Sequence, residues 1–281
     1  MNDEEKSHEE SINSFFDQEL QWWTEVYRDD LPKGFFSFEM RRRLTQVVEI
    51  LGSQIQRMDH PNVLECGCGP GDILARLAPL NCKLTGLDLN PRFLGLASER
   101  VPTATLVEGS LEQLPFPDES FEIVYAVGVF LYLKDGEKAA KEIARVTRPG
   151  GFVLISNPNY LMLHLLLDPY YVFRLLKRIL GVSERSPAGG FDDSKMRRYT
   201  ISQFRALFQA HDLHEIRSFV TSFGPGKFWR REILPLPASI RISNVMRTVS
   251  EKKMGAFLKP LGNHIIMTFK KGLVDRAEGT H

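Results

Sequence analysis

A run of glycines between two short apolar segments constrains this chain more than any other feature. An apolar strand is predicted to end at the acid Glu65, and the next six residues, 66–71, read C-G-C-G-P-G. Glycine allows positive φ angles and a close approach of the backbone to a ligand, so this run predicts a tight ligand-binding turn. A helix can begin at Asp72, and a second apolar strand, 84–87, leads to Asp88. The order strand, glycine turn, helix, strand and acid predicts the first half of a nucleotide-binding α/β fold.

The spacing of the glycines limits which nucleotide can bind. A dinucleotide fingerprint reads G-x-G-x-x-G and places a pyrophosphate on the helix N-terminus. Here the spacing is G-x-G-x-G, and an acid precedes it. The carboxylate of Glu65 would repel a pyrophosphate, whereas it would suit a cation or a ligand that offers hydrogen-bond donors. The pattern therefore disfavours an NAD-dependent enzyme. A glycine turn alone is often only a turn, but its combination with two acids at the spacing of one βαβ unit favours a binding site.

These residues resemble the first two motifs of the class I S-adenosylmethionine (SAM) dependent methyltransferases, most of all the small-molecule enzymes of the ubiquinone/menaquinone-biosynthesis type. The acid and the glycine run match residues 65–71, and the acid that closes the second strand matches Asp88. The resemblance implies that the turn packs against the methionine part of SAM and that Asp88 holds both ribose hydroxyls. It also implies an α/β, Rossmann-like, doubly wound sheet of seven strands, with the last strand antiparallel and with helical cap insertions. The ligand is expected at the carboxyl ends of strands one, two and four.

A third motif of the family, with the pattern G-D-A-E-x-L-P-F, resembles residues 109–116, which read G-S-L-E-Q-L-P-F. The family's aspartate, which bonds the adenine amino group, is replaced by Ser110, whose hydroxyl can still accept one hydrogen bond. The backbone N–H of Leu111 is expected to meet the adenine ring. The resemblance assigns cofactor binding to Glu65, Cys66, Gly67, Gly69, Gly71, Asp88, Leu89, Ser110, Leu111, Glu112, Val127 and Tyr27.

The chain is long enough, at 281 residues, for one large domain with insertions. Residues 1–11 are predicted to be disordered from their polar composition. Phe15, Phe16 and Tyr27 are candidates for a lid over the pocket, or for packing between two helices. The predicted divisions are an N-terminal helical lid (1–57), a SAM-binding core (58–157), a cap insertion (158–198), the continued core (199–220), a second cap insertion (221–262), the last core strand (263–271) and a flexible tail (272–281).

The two halves of the chain differ in charge. Residues 1–150 carry 16 Lys/Arg and 25 Asp/Glu, a net charge of −9, whereas residues 151–281 carry 20 and 10, a net charge of +10. The basic half can face an anionic partner or be a solvated surface. The apolar content of both insertions predicts a hydrophobic small-molecule acceptor. Within 161–180, an apolar face beside a basic face fits either a peripheral membrane contact or a cap helix packed on its own domain.

Candidate catalytic residues lie next to the predicted pocket. A base is needed only if the accepting nucleophile must lose a proton. His164 and Tyr160 are four residues apart and can share one helix face, which makes His164 the candidate base. The alternative is a cap-helix histidine without a catalytic role. Tyr132, after the fourth strand, can orient a substrate or pack in the core. These residues leave open whether the acceptor atom is O, N or C.

Several other classes are disfavoured. The three cysteines have no companion cluster with zinc spacing, so no metal is expected and the thiols are predicted to be reduced, in a cytoplasmic protein. The N-terminus is too polar for a signal peptide, and no 18-residue apolar run predicts a membrane span. A catalytically silent SAM-binding protein and a nucleic-acid methyltransferase are the alternatives. The chain shows no N-P-P-Y-like tetrad after the fourth strand and no zinc knuckle, so no nucleic-acid partner is expected.

Overall fold

A seven-stranded sheet is the framework of the structure. The computed structural model describes residues 3–27, 34–163, 167–170, 173, 176, 180, 197, 199–225, 227–229 and 231–273. The sheet has the order β3-β2-β1-β4-β5-β9-β6, and a separate hairpin consists of β7 and β8. The strands are β1 (Asn62–Cys66), β2 (Lys83–Asp88), β3 (Thr105–Glu108), β4 (Phe121–Val127), β5 (Thr147–Pro158), β6 (Leu213–Val220), β7 (Lys227–Phe228), β8 (Arg231–Glu232) and β9 (His264–Lys271).

The strand directions are those of a doubly wound sheet. β1 pairs in parallel with β2 and β4, β2 pairs in parallel with β3, and β4 pairs in parallel with β5. β9 lies between β5 and β6 and runs antiparallel to both, which confirms the predicted antiparallel last strand. Because the chain winds outward in opposite directions from β1 and β4, the strand order reverses between them. Ligands bind at this point in sheets of this kind.

Helices cover both faces of the sheet. One face carries α3 and α4, and the other carries α6 and α7, each with its own buried apolar cluster. The described helices are α1 (Asp3–Gln18), α2 (Leu20–Glu25), α3 (Phe35–Ile55), α4 (Asp72–Leu77), α5 (Pro91–Arg100), α6 (Gly136–Val146), α7 (Ile201–Gln209) and α8 (Leu236–Ser250), followed by a 3₁₀ segment, Lys253–Leu261. No helix within the described ranges has the length and apolar character needed to cross a lipid bilayer.

The apolar spacing of α3 explains why it folds onto the sheet. Leu44, Val47 and Leu51 recur at i, i+3 and i+7, and all three are buried. Each fully buried side chain of this size contributes about 1.5–3 kcal/mol to folding. Side-chain caps fix where other helices begin: Asp135 accepts from two backbone N–H groups at the start of α6, and Thr200 forms a capping box at the start of α7.

The structure corrects one expectation. Residues 1–11 were expected to be disordered, but α1 begins at Asp3 and its apolar side packs on the core. Ile12 contacts Leu131 and Tyr132, so tertiary packing outweighs the polar composition of this segment. The second insertion, 221–262, was predicted as a helical cap rich in Pro and aromatic residues. It contains the β7-β8 hairpin, α8 and the 3₁₀ segment. Most of residues 161–198 lie outside the described ranges.

Candidate functional site

A cavity lies at the carboxyl ends of β1, β2 and β4, beneath α1. Its floor comes from the glycine turn and from the residues that follow β2, β3 and β4, and its roof comes from α1 and α2. The lining residues are His8, Glu9, Ile12, Asn13, Phe16, Trp23, Gly67, Gly69, Pro70, Leu87, Asp88, Leu89, Phe93, Gly109, Ser110, Leu111, Glu112, Val127, Gly128, Val129, Tyr132 and Leu133. The cavity therefore opens where the predicted ligand was expected, at the point where the strand order reverses.

The three glycines of the turn have different structural roles. All three adopt positive φ, at 73°, 51° and 81° for Gly67, Gly69 and Gly71. A Cβ on Gly67 would collide with Val129, and a Cβ on Gly71 would lie 3.1 Å from the Cβ of Ala97 on α5. By contrast, a Cβ on Gly69 would meet no atom within 4 Å. Gly67 and Gly71 are thus required by packing, whereas the space beside Gly69 belongs to the cavity.

Replacement of Gly69 by alanine is expected to impair ligand binding more than folding. The added methyl group has room, and the positive φ costs about 1–2 kcal/mol. Because Gly69 lines the cavity, the methyl group occupies space that a bound nucleoside needs, and affinity for SAM should fall about tenfold or more. Calorimetric titration and thermal melting measure the two effects separately.

Gly95→Ala is the matched control for this variant. A Cβ on Gly95 would likewise meet no atom within 4 Å, but Gly95 lies on α5 and does not line the cavity. Alanine there should leave affinity unchanged and stabilise the helix by about 0.5–1 kcal/mol. Equal SAM affinity in Gly69→Ala and Gly95→Ala would contradict the assignment of the turn to the ligand.

Asp88, at the end of β2, is held in place by backbone amides. Its Oδ2 accepts a hydrogen bond from the N–H of Gly69 at 2.7 Å, and its Oδ1 accepts one from the N–H of Asn90 at 2.9 Å. Burial raises the pKa of this carboxyl above its ordinary value. The side chain of Asn90 also donates to Asp17 on α1, at 3.0 Å. Asp88 is therefore fixed by the turn on one side and linked through Asn90 to the roof of the cavity.

Glu65 lies behind the glycine turn and does not line the cavity. Its side chain is 2% exposed, and its Oε2 accepts a hydrogen bond from the hydroxyl of Tyr125 at 3.0 Å. Burial raises the pKa of Glu65 well above its ordinary value, and the nearby carboxyls of Asp72 and Asp88 act in the same direction. The carboxyl therefore tends to hold its proton, and it supports the turn from below.

This pKa shift predicts how stability changes with pH. In the folded state Glu65 holds its proton at pH values at which the unfolded chain has released it. The stabilisation is fully present below the unfolded pKa, near 4.5, and is lost as pH rises towards the folded pKa, at up to about 1.4 kcal/mol per pH unit. Glu65→Gln keeps the bond from Tyr125 and does not titrate. Its free energy of unfolding should rise relative to that of the wild type between pH 5 and pH 7.

Chemical denaturation of both proteins across this pH range measures the effect. Glu108→Gln, which changes an exposed carboxylate at the end of β3, is the control and should follow the wild type. Parallel curves for the wild type and Glu65→Gln would show that Glu65 is ionised in the folded protein, contrary to its buried position.

The third motif contributes both cavity lining and loop structure. Ser110 and Leu111 line the cavity, and Leu111 is buried. Glu112 also reaches the cavity, but its Oε1 accepts hydrogen bonds from the backbone N–H groups of Lys134 at 2.8 Å and Asp135 at 3.0 Å. Its carboxylate thus fastens the loop after β4 to the third motif. A second hollow lies between Pro115 and α6 and does not reach the glycine turn.

The candidate catalytic residues are not brought together. Tyr132 lines the cavity, and burial raises the pKa of its hydroxyl to about 12. Tyr160 is 51% exposed and does not line the cavity. His164 lies outside the described residues. Tyr132 is therefore the candidate among them that stands beside the cavity, and its raised pKa makes it a hydrogen-bond donor rather than a base near neutral pH.

The predicted cofactor residues divide into two groups. Those that line the cavity are Gly67, Gly69, Asp88, Leu89, Ser110, Leu111, Glu112 and Val127, and those that do not are Glu65, Cys66, Gly71 and Tyr27. Cys66 is fully buried, and burial raises the pKa of its thiol. Tyr27 accepts a hydrogen bond from Arg43 rather than covering the cavity. The described residues contain no group of three His, Cys, Asp or Glu side chains placed to bind a metal ion.

Sequence reasoning missed Arg43. This side chain on α3 is 4% exposed, and its guanidinium donates to the Tyr27 hydroxyl at 3.0 Å. A Cβ on Gly128, which lines the cavity, would lie 3.0 Å from Nη1 of Arg43. No carboxylate in the described ranges lies within ion-pair distance of Arg43. One sequence signal could have indicated that Arg43 is buried. It lies one helical turn before Val47, on the face of α3 that the apolar spacing assigns to the core.

Sequence reasoning also missed two polar residues in the roof of the cavity, His8 and Asn13. His8 donates from Nε2 to the carbonyl oxygen of Tyr132 at 2.9 Å, and Asn13 donates to that of Leu89 at 3.4 Å. Both side chains line the cavity, and the Oδ1 atom of Asn13 is buried without a hydrogen-bond partner. A buried acceptor without a partner is costly unless a ligand supplies the donor. The polar face of α1 therefore belongs to the site.

Comparison with known proteins shows what this chain resembles. Residues 64–155 match the family model described as a methyltransferase domain. Over 138 residues, the chain is 33% identical to a demethylmenaquinone methyltransferase of Chlorobaculum tepidum, a match that covers 47% of this chain and 56% of that protein. Over 143 residues, it is 34% identical to a fatty-acid O-methyltransferase of Mycolicibacterium smegmatis, with coverage of 48% and 52%. The chain thus spans about half the length of the curated relatives it matches.

The fold is shared over a longer stretch than the sequence similarity. The magnesium protoporphyrin IX methyltransferase of Synechocystis PCC 6803, solved with bound S-adenosylhomocysteine (SAH), superposes on this chain with a TM-score of 0.60 at 14% identity. This superposition covers 94% of the present chain and 100% of that one. The likeness therefore includes the sheet beyond residue 155, where the family match ends.

Proposed function

We propose that this chain, whose residues 64–155 match the family model of a methyltransferase domain, transfers a methyl group from SAM to a hydrophobic small-molecule acceptor. The observation that carries the proposal is Asp88, fixed by two backbone amides at the edge of the cavity beside the open space at Gly69. A rigid carboxylate next to a glycine turn suits a nucleoside diol, because both hydroxyls can donate to it.

The residues around the cavity fit both ends of SAM. Asp88 would hold the ribose, and Leu89, Ser110 and Leu111 would surround the adenine. Arg43 does not itself line the cavity, but its buried guanidinium lies directly behind Gly128, which does, and it would offer a charge-assisted partner to the carboxylate of the methionine part. A buried cation without a described carboxylate partner is costly, so an anionic ligand group stabilises it. The donor set therefore matches a ligand with a nucleoside at one end and an amino acid at the other.

When bound, SAM supplies an activated methyl group on a sulfonium. The protein's contribution is to position an acceptor atom in line with that methyl, about 3–3.5 Å away, and to exclude water. Phe16 and Tyr132, whose ring centroids lie 5.0 Å apart, line the cavity and keep this part of it apolar. Tyr132 can donate a hydrogen bond to the acceptor. His8 lines the cavity, and its Nε2 is engaged with the carbonyl oxygen of Tyr132, so its Nδ1 is our candidate to receive a proton if the acceptor must lose one.

The apolar residues in the roof of the cavity suggest which class of acceptor binds. Ile12, Phe16 and Trp23 supply apolar surface to the cavity beside few charged groups. Two curated relatives are named for a menaquinone precursor and for fatty acids, which are hydrophobic small molecules. We therefore propose an acceptor with a hydrophobic body and one reactive O, N or C atom.

Formation of SAH is the direct test. The purified protein is incubated with SAM and with pairs of acceptors that differ in hydrophobicity, such as long- and short-chain forms of one quinol or one carboxylic acid. SAH should form only with an acceptor present, and faster with its hydrophobic form. SAM binding without SAH formation for any acceptor would favour a catalytically silent SAM-binding protein, the alternative that Ser110 in the third motif supports.

A further inference from the structure

Helix α8 buries polar side chains against the domain, whereas an ordinary surface helix buries apolar ones. The residues that it buries are Ser239, Ser243 and Ser250. The contact is polar and specific: the Oγ atom of Ser243 accepts a hydrogen bond from the backbone N–H of Phe223 at 3.0 Å. Amphipathic helices normally turn apolar side chains to the core and polar ones to water. α8 departs from this arrangement, because its fully buried side chains are serines while Leu236, Ile240 and Met246 are only half-buried. Its exposed aliphatic residues therefore need an explanation of their own.

The outer face of α8 is aliphatic. Ile242, Val245 and Val249 stand at i, i+3 and i+7 and form one exposed stripe, with Val245 64% exposed. The 3₁₀ segment that follows packs against the end of the helix, because Gly255 approaches the carbonyl of Val249 too closely for any Cβ. It extends the apolar area with Met254, 92% exposed, and Phe257, 72% exposed. We call these five side chains the α8 surface. Adjoining exposed apolar groups of this kind mark an interaction site.

Exposed basic side chains lie next to the α8 surface in sequence. Between residues 227 and 261 the chain has eight Lys/Arg and two Asp/Glu, a net charge of +6. Arg241 is exposed next to the aliphatic stripe, and Lys252 and Lys253 are exposed next to Met254. A partner must therefore combine an apolar interior with a negatively charged boundary.

The position of the α8 surface relates it to the cavity. The segment that carries it leaves the sheet after β6 and returns at the start of β9. β6 and β5 both run antiparallel to β9, so these two points lie at the edge of the sheet where β5 ends. The cavity opens at the same edge, at the ends of β1, β2 and β4. The segment that carries the α8 surface therefore leaves and re-enters the sheet at the edge where the cavity opens.

We propose that the α8 surface docks the protein onto an anionic lipid bilayer. A bilayer supplies both features at once, because protruding apolar side chains enter the acyl boundary while Lys and Arg meet anionic headgroups. A second copy of this chain fits less well, since pairing of two such faces brings basic side chains against each other. A nucleic acid would satisfy the charges but would leave Met254 and Phe257 in water.

Vesicle flotation tests this proposal with the full chain. Vesicles of phosphatidylcholine with about one third phosphatidylglycerol should carry the protein to the top of the gradient, and pure phosphatidylcholine vesicles should not. Raised salt should release it. A Met254→Ser/Phe257→Ser double variant should reduce partitioning about tenfold or more, because it removes the apolar insertion. A Lys252→Glu/Lys253→Glu double variant should reduce it as well, by reversing the headgroup attraction.

Matched controls come from the opposite edge of the sheet. Leu273→Ser removes an equally exposed apolar side chain after β9, and Lys83→Glu reverses an exposed charge at the start of β2. Both should bind vesicles like the wild type, and thermal melting checks that every variant is folded. The proposal is overturned if the wild type does not float with anionic vesicles or if Met254→Ser/Phe257→Ser floats unchanged. It is also overturned if ultracentrifugation shows a wild-type dimer that this double variant dissolves while vesicle binding persists.

Discussion

Replacement of Asp88 by alanine is expected to weaken SAM and SAH binding by about 100-fold or more. The carboxylate is fixed by the N–H groups of Gly69 and Asn90, so it meets the ligand without further ordering. Two charge-assisted hydrogen bonds to a ribose diol, at about 1.5–3 kcal/mol each, correspond to at least that loss in affinity. Calorimetric titration of wild type and variant with both ligands measures it, with NADH as a ligand that neither protein should bind.

Glu108→Ala is the control for Asp88→Ala. Glu108 pairs with Asp88 in the register of β2 and β3, so it closes the neighbouring strand at the same level of the sheet. It is exposed and does not line the cavity. Alanine at this position should leave SAM affinity unchanged. Asp88→Asn, which can still accept a bond from the turn, separates loop disorder from loss of the ligand contact. If Asp88→Ala bound SAM like the wild type, the assignment of the nucleoside to this edge would be wrong.

The second large effect is expected for Arg43→Met, which should lower SAM affinity about 30-fold or more through loss of a desolvated, charge-assisted contact to the carboxylate. Methionine keeps the volume of the buried stem and removes the charge. The decisive comparison uses 5′-methylthioadenosine, which has the nucleoside but no amino-acid part. Its affinity should be the same for wild type and Arg43→Met, because it does not reach the guanidinium beyond Gly128.

Arg57→Met is the matched control, since Arg57 follows the same helix but is exposed. Thermal melting should show Arg43→Met as stable as the wild type or more so, because it removes a buried cation that lacks a described carboxylate partner. An equal loss of affinity for SAM and for 5′-methylthioadenosine would place the effect of Arg43 in folding of the cavity and not in recognition of the carboxylate.

The central sheet and its ligand edge were predictable because local signals there agree with one another. Gly67, Gly69 and Gly71 need positive φ angles, and glycines in alternation after an apolar strand indicate such a turn. Asp88 ends β2 as predicted. Each of these features depends on residues that are close in sequence, so the local sequence pattern is enough to predict it.

Features that depend on distant contacts were not predictable in the same way. Arg43 is a site candidate only because α3 lies against Gly128, 85 positions along the chain. Glu65 was expected to meet the ligand from the motif, but Tyr125 and the turn enclose it. The burial pattern of α8 could not be predicted from its composition, since three of its serines are buried while Ile242, Val245 and Val249 are exposed. α1 folds because Ile12 and its neighbours pack against Tyr132. Local helix propensity does not predict this distant contact.

The contacts of Asn90 have a consequence for how the site exchanges its contents. The backbone N–H of this residue orients Asp88, while its side chain holds Asp17 on α1. A ligand that engages Asp88 therefore also acts on the helix above it, and the free energy of ordering α1 becomes part of the free energy of binding. We expect a variant that weakens the contacts of α1 to lower the apparent affinity, because fewer molecules then hold the binding-competent arrangement. Residence time in this cavity should therefore depend on the first eighteen residues as much as on the motif beneath them.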